Sequence, residues 1–178
     1  MSLRSNRGRH RGGGIGAIEA AIAFALFGSL LAVGVPTFVR SVHASRFAEP
    51  VDGLHRIAAS AIAYAQAHPP LQAFPPTVSL TPPVPPRGTC EVDPPETWNR
   101  PTWRALDFSP VPAGEAHCFS FAFDSSMSAA RSTFRARAHG DLDGDGLVST
   151  FEVTGQYSEG DPRGPRIDPG MFVDSEVE

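Results

Sequence analysis

The feature that most constrains this chain is an apolar segment close to its start. Residues 15–35 comprise 21 amino acids with a single charged one, Glu19. As a helix rising about 1.5 Å per residue, the segment would reach about 31 Å, which matches the hydrocarbon thickness of a bilayer. The sequence therefore predicts a helix that can span a membrane.

The charges on either side of this segment predict its orientation. The first fourteen residues hold four arginines and no acid, whereas residues 141–178 hold ten acids and two arginines. By the positive-inside rule, the N-terminus lies on the cytoplasmic side and the rest of the chain faces outward. The whole chain has a net charge of -4, and all 15 of its basic residues are arginine. This balance gives no evidence for nucleic-acid binding.

Two simple interpretations compete for the apolar segment. A secretory signal peptide could be cut after Val42-His43-Ala44, although its apolar stretch normally has only about 7 to 15 residues. A plain signal anchor would explain the span. Neither explains Glu19, because an acidic side chain at the centre of a bilayer costs about 2.5 to 3.5 kcal/mol and normally has a partner. Cleavage after Gly14 would create that partner, an α-ammonium group on Ile15.

The segment from Gly14 to Pro36 resembles the N-terminus of type IV prepilins. Their basic leader ends in Gly, with Glu at the fifth mature position and Pro at the twenty-second. Counted from Ile15, Glu19 is fifth and Pro36 is twenty-second. The family usually has Phe or Met where this chain has Ile15, and Thr or Ser where it has Gly16. The resemblance covers residues 8–68.

The resemblance implies an α+β fold in which a long N-terminal α-helical spine packs on a small antiparallel β-sheet head. Residues 1–14 would be a cleaved leader, 15–68 the transmembrane and assembly helix, and 69–178 the head. A prepilin peptidase would cut after Gly14 and methylate Ile15. Glu19 would then pair with the Ile15 amine of an adjoining subunit. Other pilin subunits and an inner-membrane assembly platform would be further partners, and the bacterial filament would be periplasmic or extracellular.

Beyond the membrane, apolar residues at three- and four-residue spacing predict that the helix continues to about His68, before Pro69-Pro70. Pro36 predicts a kink, and Pro50 with Gly53 a second bend. The stripe comprises Leu54, Ile57, Ala58, Ala61, Ile62 and Ala65.

Residues 69–112 contain 13 of the 18 prolines, which predicts a long irregular connection. Within it, Trp98, Trp103 and Phe108 are expected to fold back on the core. Alternating or β-branched residues then predict strands over 119–123, 131–139, 148–154 and 171–173. The arginines of the second strand, Arg131, Arg135 and Arg137, form either a solvated face or a surface that binds an acidic neighbour.

Cys90 and Cys118 are the two cysteines, 28 positions apart. They allow one bridge or two unrelated thiols. In an oxidising compartment we expect them to join, which would contribute roughly 3 to 4 kcal/mol in the chain-entropy model.

An acidic segment between the second and third predicted strands matches the twelve-residue calcium-loop pattern. Alternate oxygen donors can converge on one ion, Gly146 permits a sharp turn, and the flanking residues predict strands rather than helices. A tight hairpin without an ion is the alternative. The candidate Ca²⁺ ligands are Asp141, Asp143, Asp145, the Leu147 carbonyl, Ser149 through water, and Glu152.

Three functions remain open from the sequence. The first is a structural, non-enzymatic subunit of a type IV pilus or pilus-like filament. The second is a pseudopilin of a type II secretion system. The third is a membrane-anchored calcium-dependent adhesin or binding module. The six histidines are scattered, and no spacing of histidine with cysteine, serine or aspartate predicts a catalytic site.

Overall fold

The computed structural model describes residues 16–174, with side chains described at 16–38 and 47–174. Contacts divide the chain into two compact units, Met1–His43 and Ala44–Glu178, the latter called here the C-terminal unit. The division falls inside helix α1, Ala17–Gln66. The helix therefore ends close to residue 68, where the sequence predicts its end, but its last part is counted with the C-terminal unit. The last part of α1 groups with the sheet because its apolar stripe belongs to the same core.

A single antiparallel sheet forms the other layer of the C-terminal unit. Neighbouring strands follow the order β1-β2-β3-β4-β5, and β6 also pairs with β4. The layout is therefore α+β, with helix on one face of the sheet. The strands are β1 Val78–Thr81, β2 Ser120–Met127, β3 Arg131–Gly140, β4 Ser149–Ser158, β5 Arg166–Ile167 and β6 Phe172–Asp174.

Four of these strands lie where alternation in the sequence predicts them. In β3, buried and accessible residues alternate along nearly the whole strand, because one face packs on the core and the other does not. The first four residues of β2 are instead buried on both faces. The short strands β1 and β5 carry no alternation long enough to be predicted.

The proline-rich connection is more ordered than its composition predicts. Besides β1, it contains 3-10 turns at Pro70–Gln72 and Pro95–Trp98 and a short helix α2, Pro101–Ala105. Proline occupies the start of each turn and of α2, where its missing N–H is harmless. Trp103 and Phe108 are buried and Trp98 packs against the core, as predicted.

The core lies between the stripe of α1 and the phenylalanines of the sheet. Leu54, Ile57 and Ala61 are fully buried, as are Phe121 and Phe123 of β2. Gly53 marks the closest approach, since a Cβ there would lie 2.6 Å from a ring carbon of Phe121. This glycine therefore allows the ring to pack on the helix backbone, and α1 is continuous through it.

Candidate functional site

The N-terminal part of α1 has the character of a membrane segment. Residues Ala17–Phe38 have a mean hydropathy of 2.1, and their most apolar stretch has no buried residue. By length and composition this helix can cross a bilayer, although signal sequences near an N-terminus share these properties. The predicted cleavage residues Gly14 and Ile15 lie outside the described residues.

Glu19 is exposed in the first turn of this helix. Its carboxylate oxygen Oε2 accepts a hydrogen bond from the backbone N–H of Gly16 at 2.9 Å. An acid in the first turn also interacts favourably with the helix dipole. Within one chain, Glu19 therefore already binds the backbone group that lies next to the predicted new N-terminus.

Pro36 lies inside α1 without ending it. Because proline has no N–H, the carbonyl four residues earlier receives no helical hydrogen bond from it. The next residue, Thr37, donates its side-chain hydroxyl to the carbonyl of Val33 at 2.8 Å. The helix is thus weakened locally at the position that the resemblance identified.

The acidic loop between β3 and β4 brings three of the predicted ligands together. One carboxylate oxygen from each of Asp141, Asp143 and Asp145 lies within 4.8 Å of the others. Asp141 is buried and accepts hydrogen bonds from the backbone N–H groups of Gly144 and Gly146, at 2.8 and 3.2 Å. Gly146 has a φ of +96°, which fits its predicted role in the turn.

The other predicted ligands have different surroundings. Leu147 donates its backbone N–H to Asp145, and Ser149 is buried in β4 opposite Gly140. Glu152 lies further along β4, where its carboxylate is 3.3 Å from Nε of Arg135. Glu152 is not among the three clustered carboxylates, so the loop as folded supplies the first half of the predicted ligand set.

The proline-rich connection also contributes to this loop. The Gly88 N–H donates to the backbone carbonyl of Asp141 at 2.8 Å, and Nε of Arg87 lies 3.9 Å from the Asp141 carboxylate. Asp141 therefore has hydrogen bonds and a nearby cation from the protein itself. No local pattern in the sequence predicted this contact, because its partners lie more than fifty positions apart.

The arginines of β3 are bonded across the outer face of the sheet. Arg135 pairs with Glu152, Arg137 pairs with Asp124, and Arg131 donates to the side-chain oxygen of Gln156 at 3.3 Å. These contacts lie between neighbouring strands, where opposite charges stabilise a sheet modestly. The chain itself therefore supplies acidic partners for Arg135 and Arg137 and a neutral one for Arg131.

Cys90 and Cys118 lie together as the sequence predicted. Their sulfur atoms are at bonding distance and their Cα atoms are 4.3 Å apart. The bridge ties the proline-rich connection to the start of β2. A backbone bridge between Glu91 and His117 continues the same attachment.

A half-buried acidic group that the sequence analysis missed lies beside this disulfide. Glu49 of α1 accepts hydrogen bonds from the backbone N–H groups of Cys118 and Phe119, each at 3.0 Å. Burial raises the pKa of Glu49 above its ordinary value of 4.5, and the two backbone hydrogen bonds partly oppose that rise. The side chain thus joins the helix to the residues just before β2, about seventy positions away.

His117 forms a second buried polar contact next to Glu49. Its Nε2 lies 2.6 Å from Oδ2 of Asp93, and its Nδ1 lies 2.9 Å from the carbonyl oxygen of Phe119. Both ring nitrogens of His117 therefore have a polar partner within the chain. Trp98 also donates its indole N–H to Asp93, at 2.9 Å. The isolated positions of these residues in the sequence gave no signal of the network.

Comparison with protein-family models, with curated proteins and with solved structures finds no match. The chain's own residues therefore carry the functional proposal.

Proposed function

We propose that this chain is a structural subunit of a type IV pilus or pilus-like filament, inserted in the inner membrane and polymerised after prepilin-peptidase cleavage. The observation that carries the proposal is the difference in burial between the two parts of α1. Residues 17–38 are apolar and exposed, whereas Leu54, Ile57 and Ala61 are fully buried beneath the sheet. A helix of this kind provides one segment for a lipid or filament core and another that anchors a folded domain.

Glu19 supports the same function through its cost in an apolar environment. Its described partner is the N–H of Gly16, which is neutral. Cleavage after Gly14 would add a positive charge on Ile15, and a neighbouring subunit could present that charge to Glu19 in the filament. Removing one partner of such a buried charge pair costs about 3 to 5 kcal/mol, and without Glu19 the unpaired charge would be the Ile15 ammonium. We therefore expect Glu19→Leu to block polymerisation more than membrane insertion.

The processing step is tested by expressing the full chain in a bacterial host with a prepilin peptidase. Mass spectrometry and N-terminal sequencing of the membrane fraction are expected to give a mature chain that begins at Ile15 and carries one added methyl group. Gly14→Leu is the matched control and is expected to remain uncut. A start after Ala44 would instead indicate secretion, and an intact leader would indicate a plain anchor.

The acidic loop favours two alternatives, a pseudopilin of a type II secretion system and a membrane-anchored calcium-dependent adhesin. Its three clustered carboxylates are the observation behind both. Electron microscopy of cells that express wild type or Glu19→Leu separates the adhesin from the filament subunits. An adhesin that uses the span only as an anchor would bind its target equally well with the leucine.

A further inference from the structure

A small pocket lies on the C-terminal unit between residues 93–98 and residues 109–117. Its volume is about 190 Å³, and its walls include three prolines, the indole of Trp98, and the side chains of Asp93 and Glu115. This volume is below the roughly 300 Å³ at which sites for drug-sized ligands begin. The pocket, called here the Trp98 pocket, therefore has the size to receive one side chain.

The polar groups of the Trp98 pocket favour a cation. Asp93 uses Oδ2 for both Trp98 and His117, while its Oδ1 has no hydrogen bond within the described part of the chain. Glu115 is exposed and forms no ion pair with any described residue. The ionisable side chains that line the pocket are Asp93, Glu115 and His117, and two carboxylates outweigh one imidazole whatever its charge. Two carboxylates beside an indole ring are groups that bind organic cations.

The chain itself offers a matching cation on α2. Arg104 is exposed, and its guanidinium has no hydrogen bond or ion pair with a described residue. It lines a second cavity that shares Pro95, Trp98 and Ser109 with the Trp98 pocket. Asp107 lines this second cavity too, but it forms no ion pair with Arg104. The acidic pocket and the free arginine are therefore neighbours on one surface.

We propose that the Trp98 pocket receives the guanidinium group of Arg104 from a second copy of the chain. Two copies that face each other through this surface can each place Arg104 over the pocket of the other, as in an isologous contact. A planar guanidinium can stack on the indole while it donates to a carboxylate, which an ammonium group does less well. Apart from histidine, every basic side chain of the chain is arginine, so a guanidinium is the permanently charged cation that a second copy can supply.

The contact is tested by charge exchange on the full, uncleaved chain in detergent micelles. Association of fluorescently labelled copies is measured by energy transfer. Glu115→Arg and Arg104→Glu are each expected to weaken association at least about fivefold. This is the effect of losing a contact in which a cation binds both an aromatic ring and a carboxylate. The double variant Glu115→Arg with Arg104→Glu is expected to recover most of the loss, because it exchanges the two charges.

Two controls carry the same changes of charge elsewhere. Glu159→Arg alters an exposed acid in the β4–β5 turn, and Arg100→Glu alters an arginine that lines a different cavity beside β1. Both are expected to associate as wild type, and near-UV circular dichroism verifies that all variants fold.

The proposal is overturned if Glu115→Arg associates as wild type, if the double variant is no better than the single ones, or if Arg100→Glu has the effect expected of Arg104→Glu. Since this assay needs neither leader cleavage nor filaments, failed processing by the peptidase would count against the proposed function alone.

Discussion

Glu49 is expected to stabilise the C-terminal unit, because its side chain joins α1 to the residues just before β2. Its carboxylate accepts from the backbone N–H groups of Cys118 and Phe119, and these two residues are 7% and 0% exposed. In Glu49→Ala both donors lose their acceptor in a place that water reaches poorly. Each unsatisfied buried donor costs about 1 to 3 kcal/mol. The variant no longer has to bury a carboxylate, which offsets part of this loss, so we expect a net destabilisation of about 2 to 4 kcal/mol.

The matched variant is Glu49→Gln, which keeps a side-chain oxygen that can accept the same hydrogen bonds. It is expected to lose no more than about 1 kcal/mol, because a neutral acceptor forms weaker bonds but is less costly to bury. The free energy of unfolding is measured by urea titration of the C-terminal unit, followed by the fluorescence of Trp98 and Trp103. Both tryptophans pack in or against the core, so their emission reports its loss.

Two outcomes would refute this reasoning. If Glu49→Ala were as stable as wild type, the hydrogen bonds to Cys118 and Phe119 would contribute nothing net. If Glu49→Gln were destabilised as much as Glu49→Ala, the negative charge rather than the acceptor would be what matters. An unchanged denaturant slope is required for either comparison, because a change in slope would mean that the unfolded or native state had altered its exposed surface.

Three further predictions concern protonation, calcium and the disulfide. Because burial raises the pKa of Glu49 above 4.5, the folded chain holds that proton more tightly than the unfolded chain. Wild type should therefore lose stability relative to Glu49→Gln as the pH rises above 4.5, and unfolding free energies that stay parallel with pH would contradict this. Calcium is expected to raise the melting temperature of the C-terminal unit and a chelator to lower it again, with Asp143→Asn reducing the response; identical melts in calcium and chelator would exclude the site. Replacing Cys90 and Cys118 together by alanine should cost roughly 3 to 4 kcal/mol in urea unfolding, and equal stability of oxidised wild type and the alanine variant would show that the closed loop is not stabilising.

Much of the fold could be predicted because its signals are local and periodic. The stripe that includes Leu54, Ile57 and Ala61 repeats with the period of a helix, and all three side chains are fully buried. Alternation in β3 likewise predicted which residues face the core, since successive side chains of a strand point to opposite faces. The pairing of the two cysteines needed only their number and an oxidising environment.

The acidic loop could be predicted only in part. Three aspartates at alternate positions in a tight turn come together because the turn itself dictates their spacing. Glu152 belongs to β4, and the sheet pairs it with Arg135 on the neighbouring strand. A spacing pattern fixes the order of candidate ligands along the chain but does not decide which of them a strand directs elsewhere.

The sequence by itself determined the apolar N-terminal helix, the buried stripe beyond it and the principal strands, because each depends on a repeating choice between apolar and polar residues. Tertiary structure decided the contacts of Glu49, Asp93 and His117. Each of these is a single polar residue whose partner lies between 24 and 70 positions away, as in the bonds from Asp93 to His117 and from Glu49 to Phe119. Such pairs have no period to reveal them, and only the packing of helix against sheet removes the water that would otherwise satisfy them.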